Sequence, residues 1–241
     1  MSYLRRGIKG LSIIVLSNIL GNFFGYLTRV VLARSITPAE YGLFFSIMSL
    51  ILLISTFSHL GFGSASVKYI AHYKAAKNKQ ALQFTVFFTS LIRLLLGLSI
   101  SAILFFSAPL LATYYFKNPS ILFIIRLFAI ILFFYLMINL QKHNFQGFQK
   151  LSLFGLEFLS EKLLFFILII VMFSVGFSKN IYIITYAFLI GIITTFLLFL
   201  FPLFTIIFIK KVKISIHVYI AFFVKYFFFY KKVSRSTITT L

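Results

Sequence analysis

Six long apolar stretches, separated by short polar or basic segments, follow one another along the chain at residues 8–33, 41–60, 82–113, 121–140, 154–177 and 181–209. Their apolar residues occupy every face of a helix, whereas transmembrane β-strands alternate apolar and polar positions over about ten residues. Stretches of about 18 or more such residues predict helices that cross a bilayer. We therefore predict an all-α, polytopic bundle of six transmembrane helices.

The last part of the chain fits this pattern less well. Residues 214–230 are apolar but short, contain Lys225, and lead into a basic tail. We therefore predict two parts, a six-helix transmembrane lobe at 1–213 and a partial seventh or interfacial helix with the tail at 214–241. The alternative is that the chain has been cut where a longer protein continues.

Local signals mark how the first two spans begin and pack. Thr37 is a good N-cap, Pro38 suits the first helical position, and Glu40 in the first turn complements the helix dipole, so these residues predict a helix start. In the first span a stripe of small residues recurs every four positions and predicts close helix packing; it consists of Ser17, Gly21 and Gly25. Asn18 and Asn22 form a neighbouring stripe, either for interhelical hydrogen bonds or for the wall of a central cavity.

Composition supports the membrane interpretation. Hydrophobic residues make up 61% of the 241 positions and charged residues only 11%, against about 25% in soluble domains. The net charge of +20 does not predict nucleic-acid binding, because the basic residues lie mainly in loops, where they set topology and meet anionic lipids. The segment 64–83 has four lysines and an amphipathic pattern, and it predicts a helix on the membrane surface with Val67, Ile70 and Ala71 on the headgroups.

The loop charges also predict the orientation. One side carries twelve Lys and Arg residues, with three at the N-terminus, four after the second span, two after the fourth (Lys142 and Lys150) and three after the sixth. The other side carries four, namely Arg29, Arg34, Lys117 and Lys179. The positive-inside rule therefore predicts a protein of the cytoplasmic membrane whose N-terminus is cytoplasmic and whose 37–40 turn is outside.

Charged residues inside the spans are the candidates for function. By the helical rise, Arg93 lies about 16 Å deep from the inner side, Glu161 and Lys162 about 11 to 12 Å, and Arg126 roughly 8 Å from the outer side. Facing lipid, each costs at least about 2.5 kcal/mol, so partners or water are expected. Either structural ion pairs such as Arg93 with Glu161 or a cationic, water-filled vestibule for an anionic substrate explains them. The cations outnumber the two acids, Glu157 and Glu161.

Catalysis finds little support in the sequence. The chain has no aspartate and no cysteine, its four histidines lack metal-ligand spacing, and no glycine-rich phosphate loop occurs. We predict no metal, no cofactor and no enzymatic activity. The enzyme that stays open is a membrane transferase that holds a diphosphate with arginines alone.

The segments RVVLARSITPAEYGLF and LGFGSASVKYIAHYKAAKNKQ resemble the start of prokaryotic polysaccharide-biosynthesis (O-antigen) flippases. These proteins are relatives of the lipid II flippases and of the multidrug and toxin extrusion transporters. The residues that carry the resemblance are Ala33, Arg34, Pro38, Glu40, Tyr41, Gly42, Leu43, Phe44, Gly61, Gly63, Lys68 and Tyr69. The resemblance is moderately specific over residues 5–85 and only hydropathic beyond them.

The resemblance implies two lobes that move lipid-linked oligosaccharides by alternating access, and this chain has room for the N-terminal lobe. The expected partners are a polyprenyl-diphosphate-linked glycan, membrane lipid and a second lobe or partner chain. On this hypothesis, Arg93, Arg126 and Lys162, with Glu161 beside Lys162, bind the diphosphate, and Arg29 and Arg34 lie at the outer mouth. The alternatives are a cation-coupled multidrug exporter of the same superfamily and a non-transporting membrane partner of glycan-synthesis enzymes.

Overall fold

Seven α-helices make up a computed structural model of the chain, which describes residues 2–58 and 62–208. The helices are α1 (Ser2–Ser35), α2 (Pro38–Ser58), α3 (Phe62–Ala75), α4 (Lys79–Leu110), α5 (Leu122–Gly147), α6 (Leu151–Ser174) and α7 (Ile181–Phe208). A π-helical turn, Leu111–Tyr115, extends α4, and a short 3-10 turn, Pro119–Ile121, leads into α5. These two ranges contain no strand, and the predicted all-α membrane bundle is confirmed.

Five of these helices are long and apolar enough to cross a bilayer by length and composition, namely α1, α2, α4, α5 and α7. The sixth predicted span is α6, a helix of 24 residues. It carries three charged residues, Glu157, Glu161 and Lys162. Helix α6 packs alongside α1 and therefore lies at the same level of the bundle as that spanning helix.

The core of the bundle is α5, the most buried of the long helices. It lies antiparallel to α4, with Gly97 against Met137 and Phe105 against Arg126. It lies parallel to α7, with Phe128 near Phe188 and Phe145 near Phe199. Burial of this helix on several sides explains why its sequence is apolar all round.

Small residues bring α1 and α6 together in parallel. A Cβ atom added to Gly155 would lie 2.7 Å from the Ser17 hydroxyl oxygen, and one added to Gly21 would lie 2.7 Å from the Phe158 ring. Further along, Phe24 packs on Phe166 with ring centroids 5.6 Å apart. Ser17 and Gly21 of the predicted stripe therefore lie at this contact, whereas an added Cβ on Gly25 would meet no atom within 4 Å.

The predicted start of the second helix has the expected cap and a further tertiary contact. The Glu40 amide donates to the Thr37 hydroxyl over 3.3 Å, and the Thr37 amide and hydroxyl donate to Glu40 Oε2 over 3.3 and 2.9 Å. The other carboxylate oxygen, Oε1, accepts from the Ile181 amide over 3.2 Å. Glu40 therefore joins the N-terminus of α2 to the N-terminus of α7, which local sequence did not predict.

The structure corrects the prediction for α3. Ile70 is fully buried against Gly147 at the end of α5, and Val67 and Ala71 are half-buried. The apolar face of α3 therefore packs on the bundle and does not rest on headgroups. The reason is that α3 lies between the beginning of α4 and the end of α5, so these two helices cover its apolar face.

The fourth span extends further than predicted. Helix α5 continues to Gly147, so Lys142 and His143, which the sequence placed in a loop, lie within its last turns. The remaining span boundaries agree with the prediction to within a few residues. The division at 213, the segment 214–241 and the basic loop at 210–213 lie outside the described residues.

Candidate functional site

An ion triplet connects α5 and α6 inside the bundle. Glu161, with 2% of its side chain exposed, accepts from the Lys142 ammonium at Oε2 over 2.9 Å and from the Lys162 ammonium at Oε1 over 2.8 Å. Lys142 is the more buried of the two lysines, whereas Lys162 keeps 30% of its side chain exposed. Two cations against one carboxylate give the triplet a net positive charge. Lys162 is its more exposed end.

A second carboxyl group lies one helical turn before Glu161. Glu157 is fully buried, and neither of its carboxyl oxygens has a hydrogen-bond partner among the described residues. Residues four apart share one face of a helix. The interior face of α6 therefore presents one paired and one unpartnered acid.

The ring of Phe158, on α6, lies between the Lys142 ammonium and helix α1. The Lys142 ammonium lies 5.6 Å from the centre of the Phe158 ring, and that ring packs on Gly21. Lys162 follows Phe158 by one turn, so it lies at the level of α1 that follows Gly21. Gly25 lies on this part of α1 and has open space beside it. Lys162, the exposed end of the ion triplet, therefore lies on the face of α6 that follows Phe158.

Arg93 occupies a different part of the same end of the bundle. Its side chain is buried, with 9% of the residue exposed, and it lines a small cavity of about 20 Å³ with Ser58, Gly97 and Leu136. A Cβ atom added to Gly63 would lie 2.9 Å from Arg93 Nη2 and 2.6 Å from His143 Nε2. Arg93 thus lies where α2 ends and α3 begins. The ion pairs of Glu161 are with Lys142 and Lys162, and not with Arg93 as the sequence suggested.

Arg126 lies in the other half of the bundle. Its guanidinium lies 5.2 Å from the centre of the Phe105 ring, and its Nε atom is buried without a hydrogen-bond partner among the described residues. Phe105 follows Arg93 by twelve residues of α4, or about 18 Å of helix. The structure therefore separates Arg126 from Arg93 along the bundle axis.

Arg29 and Arg34 lie near the end of α1 that leads into the 37–40 turn, and both are exposed. The Arg29 guanidinium lies 5.7 Å from the centre of the Phe45 ring of α2. The six predicted site residues therefore occupy three regions. Glu161 and Lys162 lie together on α6, Arg93 lies near α3, and Arg126, Arg29 and Arg34 lie in the outer half.

Sequence reasoning missed two residues of this arrangement. Lys142 was assigned to a loop because QKHNFQGFQK is polar, although polar residues at helical spacing are compatible with the last turns of a helix. Glu40 was explained by its cap alone, and no local signal reveals its bond to Ile181, 141 positions away. Among the described residues there is no group of three His, Cys, Asp or Glu side chains able to hold a metal ion.

The helices have the fold of one half of a transporter of the MOP superfamily. A MOP superfamily transporter from Pyrococcus furiosus matches 87% of this chain with a TM-score of 0.65 and 19% identity, and the match covers 47% of that protein. A multidrug resistance MATE family transporter in an outward-facing conformation matches with the same TM-score and coverage at 20% identity. At these identities the likeness defines the fold alone.

The chain matches the model of the polysaccharide biosynthesis protein family over residues 8–238, and it belongs to that family. An uncharacterised membrane protein of Methanocaldococcus jannaschii is 28% identical over 120 residues, which are 50% of this chain and 24% of that protein. The chain thus spans about half the length of the similar solved structures. The recognition of a polysaccharide-biosynthesis family member with the fold of one lobe is confirmed, and with it a multi-pass membrane protein.

Proposed function

We propose that this chain is one lobe of a membrane exporter that moves a polyprenyl-diphosphate-linked oligosaccharide across the cytoplasmic membrane. Family membership supports a role in polysaccharide biosynthesis, and the half-transporter fold supports movement across a membrane. The observation that carries the proposal is the excess of buried or half-buried cations over carboxylates within the membrane part of the lobe. An anionic substrate group compensates that excess.

The proposed contacts of the diphosphate begin at Lys162, the exposed end of the ion triplet. Arg93 is the one arginine of α4. Arg126 lies about 18 Å further along the axis. We propose that a translocated diphosphate meets these groups in succession rather than together, with Arg29 and Arg34 at the outer mouth.

The exposed side of α1 supports a second lobe or partner chain in this proposal. Only about a tenth of the most apolar 18-residue stretch of α1 is buried within the lobe. Leu11, Ser12, Val15, Leu16 and Ile19 line an open groove of about 390 Å³ on it. In the proposed assembly this groove faces the substrate's lipid chain or the second lobe.

A second candidate function has its own observation. A cation-coupled multidrug exporter requires acidic groups in the lobe interior, and Glu157 and Glu161 are both buried there. The sequence alone made this alternative weaker, because its first two helices offer only Glu40. The third alternative, a non-transporting partner of glycan-synthesis enzymes, predicts that neither substrate is moved.

The test is translocation by the full chain in proteoliposomes, alone and together with a candidate second lobe. The substrate is a polyprenyl-diphosphate oligosaccharide, and the readout is its cleavage by a glycosidase that cannot cross the bilayer. We expect Arg93→Ala to abolish translocation while the protein stays folded, whereas Lys79→Ala, which removes an exposed cation from the same helix, keeps it. Translocation unchanged by Arg93→Ala would remove Arg93 from the proposal, and movement of cationic drugs alone would favour the multidrug alternative.

A further inference from the structure

Two basic turns meet at the end of the bundle where α4 and α6 begin. One turn joins α3 to α4 and the other joins α5 to α6. We define the basic surface as the exposed lysines in and directly beside these turns, namely Lys74, Lys77, Lys79 and Lys150. These residues are far apart in sequence, so the fold creates the surface.

Packing and a hydrogen bond hold the two turns together. A Cβ atom added to Gly147 would lie 2.8 Å from Ile70 Cβ, so α3 and the end of α5 are in close contact. The Lys74 ammonium donates to the Phe148 carbonyl oxygen, which lies just beyond α5. The spacing between lysines of the two turns is therefore fixed by the bundle.

Among the described residues, no carboxylate side chain lies at this surface. The chain has three acidic residues, Glu40, Glu157 and Glu161. Glu40 lies at the opposite end of α2, and the other two lie inside α6. Burial and, after it, repulsion by the nearby charge of Lys150 lower the pKa of Lys74. An anion between them relieves this repulsion.

The orientation of α3 makes lipid the matching partner. Its apolar face is buried on the bundle, so its exposed face carries Lys68, His72 and Lys74. Tyr69 and Tyr73 stack with ring centroids 6.2 Å apart and are half-buried beside the start of α4. Tyrosines with one apolar and one wet side are typical of the headgroup level of a bilayer. The basic surface therefore lies where the spanning helices leave the membrane.

We propose that the basic surface binds the phosphate headgroups of anionic phospholipids in the leaflet that it faces. Phosphate oxygens accept from several lysines at once, and the net negative charge of an anionic headgroup, which a zwitterionic headgroup lacks, favours it at this cationic surface. This interaction is independent of the glycan substrate, because it uses residues outside the transmembrane site. The positive-inside prediction places it in the cytoplasmic leaflet.

The test uses the full chain reconstituted in phosphatidylcholine vesicles with a small fraction of spin-labelled phosphatidylglycerol or phosphatidylcholine. The share of motionally restricted label gives the selectivity of the protein for the anionic lipid. We expect selectivity for phosphatidylglycerol that falls in high salt. The double variant Lys77→Gln and Lys150→Gln should lower it at least about fivefold, the effect of one lysine beside an anionic surface.

A matched control exists at the other end of the bundle. The double variant Lys117→Gln and Lys179→Gln also removes two positive charges. Lys117 has a left-handed backbone like that of Lys77, with φ values of 51° and 54°. Gln149 has φ 54°, so glutamine is compatible with that conformation. We expect the control pair to keep the selectivity, and Lys77→Arg with Lys150→Arg to keep it as well.

Three results would overturn the proposal. Equal losses in the basic-surface variant and its control would show that net charge alone attracts the lipid. Unchanged selectivity in the basic-surface variant would exclude these lysines as the site. Displacement of the labelled lipid by inorganic phosphate at an equal concentration would show a site for free phosphate instead of a headgroup.

Discussion

Two glutamates one turn apart on α6 have opposite surroundings. Glu161 accepts from two lysines, whereas Glu157 is fully buried without a hydrogen-bond partner in the part of the chain that the structure describes. Removing one partner of a buried ion pair leaves an uncompensated charge, and an unpartnered carboxyl group costs free energy on burial. The two positions therefore predict different responses to the same substitution.

We expect Glu161→Gln to lower the free energy of unfolding by about 3 kcal/mol, because Lys142 and Lys162 lose their common carboxylate. Glu157→Gln should leave stability within about 1 kcal/mol of wild type or raise it, because neither carboxyl oxygen has a hydrogen bond to lose among the described residues and the amide cannot ionise. Unfolding of the full chain in detergent, followed by circular dichroism, measures both. Equal losses for the two variants would contradict this account of the triplet.

At this scale the sequence predicted that charged residues lie inside the bundle but not how they pair. Glu161 and Lys162 are adjacent in the chain, so their contact follows from locality. Lys142 reaches the same carboxylate only because α5 continues past residue 140 and the chain then reverses direction into α6. That geometry depends on where a helix ends, and polar residues near a turn predict such ends poorly.

At the scale of the helices, Glu40 joins two N-termini. Loss of an N-cap costs about 1 kcal/mol, and a hydrogen bond to a charged acceptor contributes about 1.5 kcal/mol or more. We expect Glu40→Ala to destabilise the chain more than Thr37→Ala does, because Glu40 also accepts from Ile181. Hydrogen exchange of the first turn of α7 should accelerate in Glu40→Ala and stay unchanged in Thr37→Ala. Acceleration in both would mean that the cap alone positions α7.

The contact between α1 and α6 gives a second prediction at this scale. A Cβ atom added to Gly155 would lie 2.7 Å from Ser17 Oγ and 3.1 Å from Ser17 Cβ. We expect Gly155→Ala to lower the free energy of unfolding by about 1 to 3 kcal/mol, the usual cost of overpacking. Gly25→Ala is the control, because it adds the same methyl group in open space and should be neutral or slightly stabilising. Thermal unfolding in detergent distinguishes them, and a neutral Gly155→Ala would mean that the two helices move apart at little cost.

Helix positions were largely predictable because apolar length is a strong signal in membrane chains. The start of α2 was predicted from Thr37, Pro38 and Glu40, and the structure has the cap. The stripe in α1 was predicted from spacing, but its partner Gly155 was not, since one helix does not encode which neighbour it meets. For the same reason the buried face of α3 was assigned to lipid instead of protein.

At the scale of the whole molecule, the chain has the fold of half a MOP superfamily transporter and belongs to the polysaccharide biosynthesis protein family. A soluble protein of this size would bury the apolar residues that α1 and α4 leave exposed, whereas a membrane protein can turn such residues to lipid. The fold class followed from composition, and the family from local motifs. The route of a substrate depends on which side chains face water, which hydropathy does not show.

We propose that Lys162, the exposed end of the ion triplet, faces a water-filled space and not acyl chains. Because the chain contains no cysteine, one introduced thiol reports its own surroundings. Lys162→Cys places a thiol at the exposed end of the ion triplet. Ile167→Cys places one five residues later on another, exposed face of α6.

The decisive measurement is the rate at which a membrane-impermeant thiol reagent labels these two variants of the full chain in membranes. We expect rapid labelling of Lys162→Cys and none of Ile167→Cys, because only the first thiol faces water. Lys162→Cys as inert as Ile167→Cys would contradict it, since the cations would then lie against lipid or in a sealed core.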